Sequence, residues 1–407
     1  MPLGKMEETV TENLQKLEEK GTLKGEELVI ERVKETEGGK APRYMIEGKE
    51  GGFLRMNLNS YLGMHLNQEV IEAEEESSEK FGSGPGAVRF IHGTYKPHVE
   101  LENKLADFHD REDCIIYSSA YSAMCGIIQP LTSPETLIIS DELNHNCIIN
   151  GIRMAKPKGK AIYDHLDYNQ LRSQLEDAVG EFDRVIVITD GVFSMRGDFV
   201  DIPEVQGLAE EFNPEFSDGV FTIMDDSHGV GSYGETGRGT EEVTGGSVDV
   251  LLATMGKAIG VNGGYVATNS RIVDYLRETS PFYIYSNPIT APEAYASIKS
   301  LNIIDSEEGR EKLEHLSEMT NYFEKGLEDL GQEVIRGPHP IVPLMIRDTR
   351  ETTELVNHLE ENNVLATAIK YPVVPQGDEC IRFQISANHT KEDLDYVIGK
   401  VEEFQAG

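Results

Sequence analysis

Tryptophan is absent from this chain, cysteine occurs four times, and basic residues number 37 against 72 acidic ones. No apolar run approaches the roughly 18 residues that a membrane-spanning helix needs. Cys114, Cys125, Cys147 and Cys380 are scattered through apolar or mixed segments. They lack metal-ligand spacing and do not suggest a disulfide framework. The net charge of −35 is opposite in sign to that of a nucleic-acid binder. The opening residues, Met1-Pro2-Leu3-Gly4-Lys5, lead into an acidic amphipathic stretch, the pattern of neither a signal nor a transit peptide. These absences lead us to expect a soluble, cytoplasmic protein.

What the chain has in excess is carboxylate, spread over helical surfaces at Glu72, Glu74, Glu75 and Glu76, and at Glu307, Glu308, Glu311 and Glu314. A dispersed acidic face is ordinarily a solvated one. At this excess we read a halophilic adaptation, because concentrated salt screens the self-repulsion over a few ångström.

The 407 residues, 39% of them hydrophobic, leave room for one large α/β domain and a smaller one. Met6, Val10, Leu14 and Leu17 predict an N-terminal helix over 5–20 that packs on the body or on a partner subunit. Residues 21–60 are mixed, with strand-like pieces around 44–46 and 54–56. Gly82-Ser83-Gly84-Pro85-Gly86 is a loop signal. From residue 99 the pattern is regular. Strands are expected at 114–117, 136–140, 160–163, 184–189, 220–225, 250–254 and 263–268. Between them lie helices at 99–109, 120–128, 145–154, 168–179 and 203–212. This alternation implies an α/β domain with a mostly parallel seven-stranded sheet covered on both faces. Helices at 270–278 and 290–328 follow, the second broken near Ser306-Glu307-Glu308-Gly309. The tail has strands near 341–346, 364–369 and 380–385, with helices at 350–361 and 391–404, an α+β lobe. The expected division is an N-terminal segment 1–60, a large domain 61–300 and a C-terminal domain 301–407.

The chemistry centres on Ala253-Thr254-Met255-Gly256-Lys257-Ala258-Ile259-Gly260, which follows a buried strand. A desolvated lysine has a lowered pKa and can form a Schiff base with an aldehyde cofactor. Alone, the octet reads more readily as a surface lysine in a Gly-rich turn. About thirty residues earlier, Met224-Asp225-Asp226-Ser227-His228 ends another buried strand. A carboxylate there could keep a pyridinium nitrogen protonated, or simply cap the next turn. Tyr117-Ser118-Ser119-Ala120-Tyr121 joins a strand to a helix whose first N–H groups suit a phosphate, and it also fits an ordinary Ser N-cap. Asp141-Glu142-Leu143-Asn144-His145 and Thr189-Asp190-Gly191-Val192-Phe193-Ser194-Met195 lie just past strands too. Four polar strand ends in a row are far less expected by chance than one.

Together these stretches resemble the fold-type I, aspartate-aminotransferase-like enzymes that use pyridoxal 5′-phosphate (PLP). From about residue 50 onward the chain resembles their α-oxoamine synthase family. Val88-Arg89-Phe90-Ile91-His92-Gly93-Thr94, Tyr371-Pro372-Val373-Val374-Pro375 and Arg382-Phe383-Gln384-Ile385-Ser386-Ala387 add to the likeness. The resemblance implies PLP held by Lys257, which then serves as general base. It pairs Asp225 with the ring nitrogen, His228 with the phenolic oxygen and His145 with the ring face. Thr254 and the backbone of Ala120 and Tyr121 would bind phosphate, with Ser194 beside the cofactor. Arg382 would clamp the substrate carboxylate and Asn59 would contact substrate. Ser286 and Asn287 would reach into the neighbouring subunit's site, so a homodimer with shared active sites is implied. No metal is expected. The family joins an amino acid to an acyl-CoA. The member that unites glycine with acetyl-CoA, or cleaves the product in threonine catabolism, is the nearer match. The alternative is the decarboxylating condensation of alanine with pimeloyl-CoA. Departures from the family pattern fall at Ser60, Met255 and residues 81–87, none of them at Lys257, Asp225, His228 or Arg382.

Overall fold

The computed structural model describes residues 3–20, 23, 25–36, 39–371 and 374–406. Pro372 and Val373 of the motif at 371–375 lie outside the described residues, as do Met1 and Pro2.

The alternating segments form one seven-stranded sheet. Across it run Asp113–Tyr117, Gly264–Thr268, Val250–Thr254, Val220–Asp225, Arg184–Asp190, Thr136–Asp141 and Gly159–Tyr163. Gly264–Thr268 is antiparallel to both neighbours, and the remaining pairs are parallel. The strands read as near-continuous apolar runs because both faces are covered. Within Arg184–Asp190 the period of two is plain. Ile186 and Ile188 pack under helices Ala120–Leu131 and Asn146–Ala155, while Val185 and Val187 pack under Tyr168–Ala178 and Ile202–Phe212.

The break expected near 306–309 is present. Helix Ala291–Ile304 ends, and Ser306 accepts from the Gly309 N–H to start Glu307–Asp329. The C-terminal lobe holds an antiparallel sheet in the order Glu333–Val334, Ile341–Met345, Cys380–Gln384, Thr367–Ile369. The single strand expected over 364–369 is two. Val364–Leu365 pairs in parallel with Leu54–Arg55, and Thr367–Ile369 turns to pair with Cys380–Gln384. The chain before residue 60 is thus tied to this lobe, and Gln384 N–H also donates to the Met56 carbonyl.

One N-terminal feature is unexpected, and another is found where expected. Ile30–Lys34 is an additional strand, antiparallel to Arg43–Ile46, and it is exposed throughout. The helix, Gly4–Glu19, buries none of its residues, and Met6, Val10 and Leu14 stay exposed. Within one chain Met6, Val10 and Leu14 thus face away from the body, and the partner-subunit half of the expectation is the one this leaves. Among the described residues no helix is long and apolar enough to cross a membrane.

Candidate active site

The parallel strands bring their carboxyl ends to one edge of the sheet, where open α/β folds place their ligands. There a cavity of about 210 Å³ is lined by Ala120, Tyr121, His145, Ser194, Asp225, His228, Thr254 and Lys257, all expected from the sequence. Ser119, Cys147, Asp190, Val192 and Ser227 complete the lining.

At strand end Val220–Asp225 the backbone pleat gives the two adjacent aspartates different work. Asp225 faces the cavity, where its Oδ1 accepts from Ser227 N–H at 3.0 Å and its Oδ2 from the Cys147 thiol at 3.4 Å. Asp226 is fully buried away from it. Its carboxylate accepts from the Thr240 N–H at 2.8 Å and the Thr240 hydroxyl at 2.6 Å. A Cβ at Gly191, Gly229 or Gly239 would come within 2.0–2.3 Å of that carboxylate, so glycine is required at all three.

Lys257 follows the next strand. Burial pulls its amine down to about 8, against the opposing pull of Asp225 and Asp190. Asp190 is driven well above the ordinary carboxylate range by burial and by Asp225. It accepts from the His145 N–H at 2.9 Å, which fixes the loop from which the imidazole faces the cavity. Burial also lowers the His145 pKa, more than Asp225 raises it.

His228 is kept neutral by burial, with Lys257 and His339 adding to the effect. Its Nδ1 lies 2.8 Å from the Tyr61 hydroxyl, and its carbonyl accepts from His339 Nε2 at 2.8 Å.

Helix Ala120–Leu131 starts at Ser119, whose hydroxyl accepts from Ser122 N–H at 3.1 Å. The N–H groups of Ala120 and Tyr121 lie in the first turn, where a helix leaves donors unpaired. A Cβ at Gly264 would sit 2.2 Å from the Ala120 nitrogen, so this glycine lets the helix start approach the sheet. The Thr254 hydroxyl donates to the Gly263 carbonyl and accepts from Gly256 N–H, both at 3.1 Å, bracing the lysine loop.

Four expected residues lie outside the cavity lining. Arg382, from the small lobe, donates to the Ser194 carbonyl at 2.9 Å and has a buried Nε without a partner. Asn59 accepts from Gln384 on the same strand as Arg382. Ser286 is half-buried and Asn287 exposed, and neither reaches this cavity within one chain.

The residues fit PLP. An amine, a carboxylate for a ring nitrogen, an imidazole for a ring face and free helix-start N–H groups for a phosphate converge on one cavity. The buried Ser227 hydroxyl that lines it also lacks a partner.

The profile of the aminotransferase class I and II family matches residues 52–401. An 8-amino-7-oxononanoate synthase from Thermosipho melanesiensis is 38% identical over 360 residues, covering 88% of this chain and 89% of that protein. The mitochondrial 2-amino-3-ketobutyrate coenzyme A ligase of Homo sapiens is 36% identical over 378 residues, covering 92% and 86%. An SPT structure with PLP as internal aldimine superposes with a TM-score of 0.87 at 26% identity, covering 99% of this chain and 98% of that one.

Proposed function

The chain belongs to the aminotransferase class I and II family and, within it, to the α-oxoamine synthases, and on that premise we propose that it joins glycine to acetyl-CoA, giving 2-amino-3-ketobutyrate and CoA, or runs the reverse. The carrying observation is the convergence of Lys257 and Asp225 on one cavity, with Arg382 approaching from the other lobe. The cofactor is PLP. When bound, it supplies an electron sink that acidifies the C–H next to a substrate amine.

The remaining work falls to the protein. A pKa of about 8 leaves roughly a tenth of the amine neutral at pH 7, far more than an ordinary lysine has, so Lys257 Nζ can take the Cα proton of glycine. The Asp225 carboxylate holds a proton at a ring nitrogen. His145 covers a ring face and excludes water. Ala120 and Tyr121 donate N–H groups to phosphate. The unpartnered Nε and fork geometry of Arg382 suit a substrate carboxylate. In the joining direction a C–C bond forms at glycine Cα, the thioester C–S bond breaks, and the proton held on Lys257 can pass to the departing thiolate. Ser286 and Asn287 act across a homodimer in this reading.

The choice of glycine and acetyl-CoA rests on the resemblance of the stretches at 88–94, 225–228 and 371–375. The 38% identity to an oxononanoate synthase supports the second reading, alanine with pimeloyl-CoA and loss of CO₂. Carboxyl-labelled glycine with acetyl-CoA, coupled to reduction of the product to threonine, separates the two. Threonine that retains the label is expected. No turnover of glycine, with CO₂ released from alanine and pimeloyl-CoA, would give the second reading. Lys257→Ala should keep its melting temperature and lose turnover in either case.

A further inference from the structure

Cys147 has no part in the proposed chemistry, yet it lines the cavity between two groups that do. Its Sγ lies 3.0 Å from His145 Nδ1 and 3.4 Å from Asp225 Oδ2, and all three ligand atoms fall within 4.8 Å of one another. Tetrahedral zinc, with bonds of roughly 2.0–2.3 Å, holds its ligand atoms about 3.5 Å apart. An imidazole, a thiol and a carboxylate form a donor set for a borderline divalent ion, and three protein ligands leave a fourth position open.

The neighbours orient these donors, with the Lys257 amine in the same lining as an opposing charge. His145 Nδ1 accepts from the Cys147 N–H at 3.3 Å, which puts the ring proton on Nε2, and an ion at Nδ1 would displace that long hydrogen bond. Asp225 Oδ1 is anchored by Ser227 N–H, and the His145 backbone is anchored by Asp190, so two of the ligands are oriented by neighbours. Asp190 adds a second buried acid within the same lining. A metal ion binds the thiolate, so its entry releases the Cys147 proton to the solvent.

We propose that His145, Cys147 and Asp225 form a site for a divalent ion of the zinc class in the cofactor-free chain, and that metal and PLP exclude one another there. The inference concerns the chain without its cofactor and holds whichever amino acid and acyl-CoA the enzyme uses. Its only link to the proposed function is that PLP occupies this cavity.

Cobalt(II) titrated into full-length protein stripped of PLP tests it. The expected result is a thiolate-to-cobalt charge-transfer band with the visible bands of a four-coordinate ion. Added PLP should abolish both. Cys147→Ser should lose the charge-transfer band and bind at least ~10-fold more weakly, and Asp225→Asn should also weaken binding. The competition with PLP is read on unsubstituted protein, so it does not depend on either variant folding. Absence of the band, its persistence in Cys147→Ser, or equal cobalt binding by the PLP-loaded protein would overturn the proposal. Persistence in that variant would move the ion to Cys114, Cys125 or Cys380.

Discussion

The Tyr61 hydroxyl lies 2.8 Å from Nδ1 of His228, joining the first residue after the N-terminal segment to the strand-end histidine of the candidate active site. His228 is neutral, and a phenol that donates to Nδ1 leaves the proton on Nε2. Tyr61 is itself fully buried and its ionisation is pushed above the ordinary phenol range, chiefly by burial, so it acts as a neutral donor. Tyr61→Phe should keep the fold and lower kcat up to ~10-fold, about the worth of one hydrogen bond. It should also alter the pH dependence of the cofactor's absorbance. An unchanged kcat and spectrum would remove Tyr61 from this role.

The paired aspartates should fail differently. Asp225→Asn should leave the melting temperature near that of the parent while turnover collapses. Asp226→Ala leaves two Thr240 donors without an acceptor, at about 1–3 kcal/mol for each buried unsatisfied group. Differential scanning calorimetry beside a turnover assay reads both. Equal loss of stability in the two variants would contradict the division of labour at this strand end.

His165 provides a pH-dependent element. Its Nδ1 lies 3.0 Å from Asp141 and its Nε2 3.1 Å from Asp198, and the ring packs edge-on against Phe193 at 4.4 Å. Burial pulls its pKa down, but the two carboxylates outweigh that and raise it to about 9 from 6.5. A raised folded-state pKa means the unfolded chain loses its proton first. The stabilisation is complete below pH 6.5 and is lost as pH climbs through about 9. The melting-temperature gap between the parent and His165→Gln should therefore be widest below pH 6.5 and should close above 9. A gap that does not vary with pH would show that the ion pairs contribute nothing.

With a net charge of −35, the folded chain repels itself at low salt. Raising KCl from low to molar concentration should increase the melting temperature by several degrees and raise activity, because counter-ions screen surface carboxylates. Circular dichroism melts across a salt series give the answer, and a flat series would end the halophilic interpretation without touching the catalytic one.

The cavity-lining residues legible in the sequence were those at the ends of strongly apolar strands. Asp225, Lys257 and His145 each stand where a buried run stops, and the alternation of strands and helices forces those stops to one edge. Asp190 and Ser119 lay within stretches singled out for the same reason, yet their part needed the neighbours that the fold supplies. Tyr61 and Cys147 were not legible as site residues. Tyr61 is separated from His228 by 167 positions and sits in no periodic element. Cys147 reads as one small apolar residue among others on an amphipathic helix, and Asp225, the group that gives it meaning, is 78 positions away. The N-terminal helix was legible as an element but not in its packing, because amphipathicity specifies a face and not the surface, body or partner subunit, that meets it.

The carboxylate of Asp226 is enclosed by Gly191, Gly229 and Gly239 and held by Thr240. These five positions come from three separate stretches of the chain, yet none can change freely while the others stand. A side chain at any of the glycines is tolerated only if the acid shrinks or withdraws, and the acid can withdraw only if threonine no longer needs it. Their substitutions should therefore be strongly epistatic, each harmful in isolation and acceptable only in combination. In a mutational library the five should behave as one inherited block, whereas the cavity-facing Asp225 beside them answers to selection on chemistry alone.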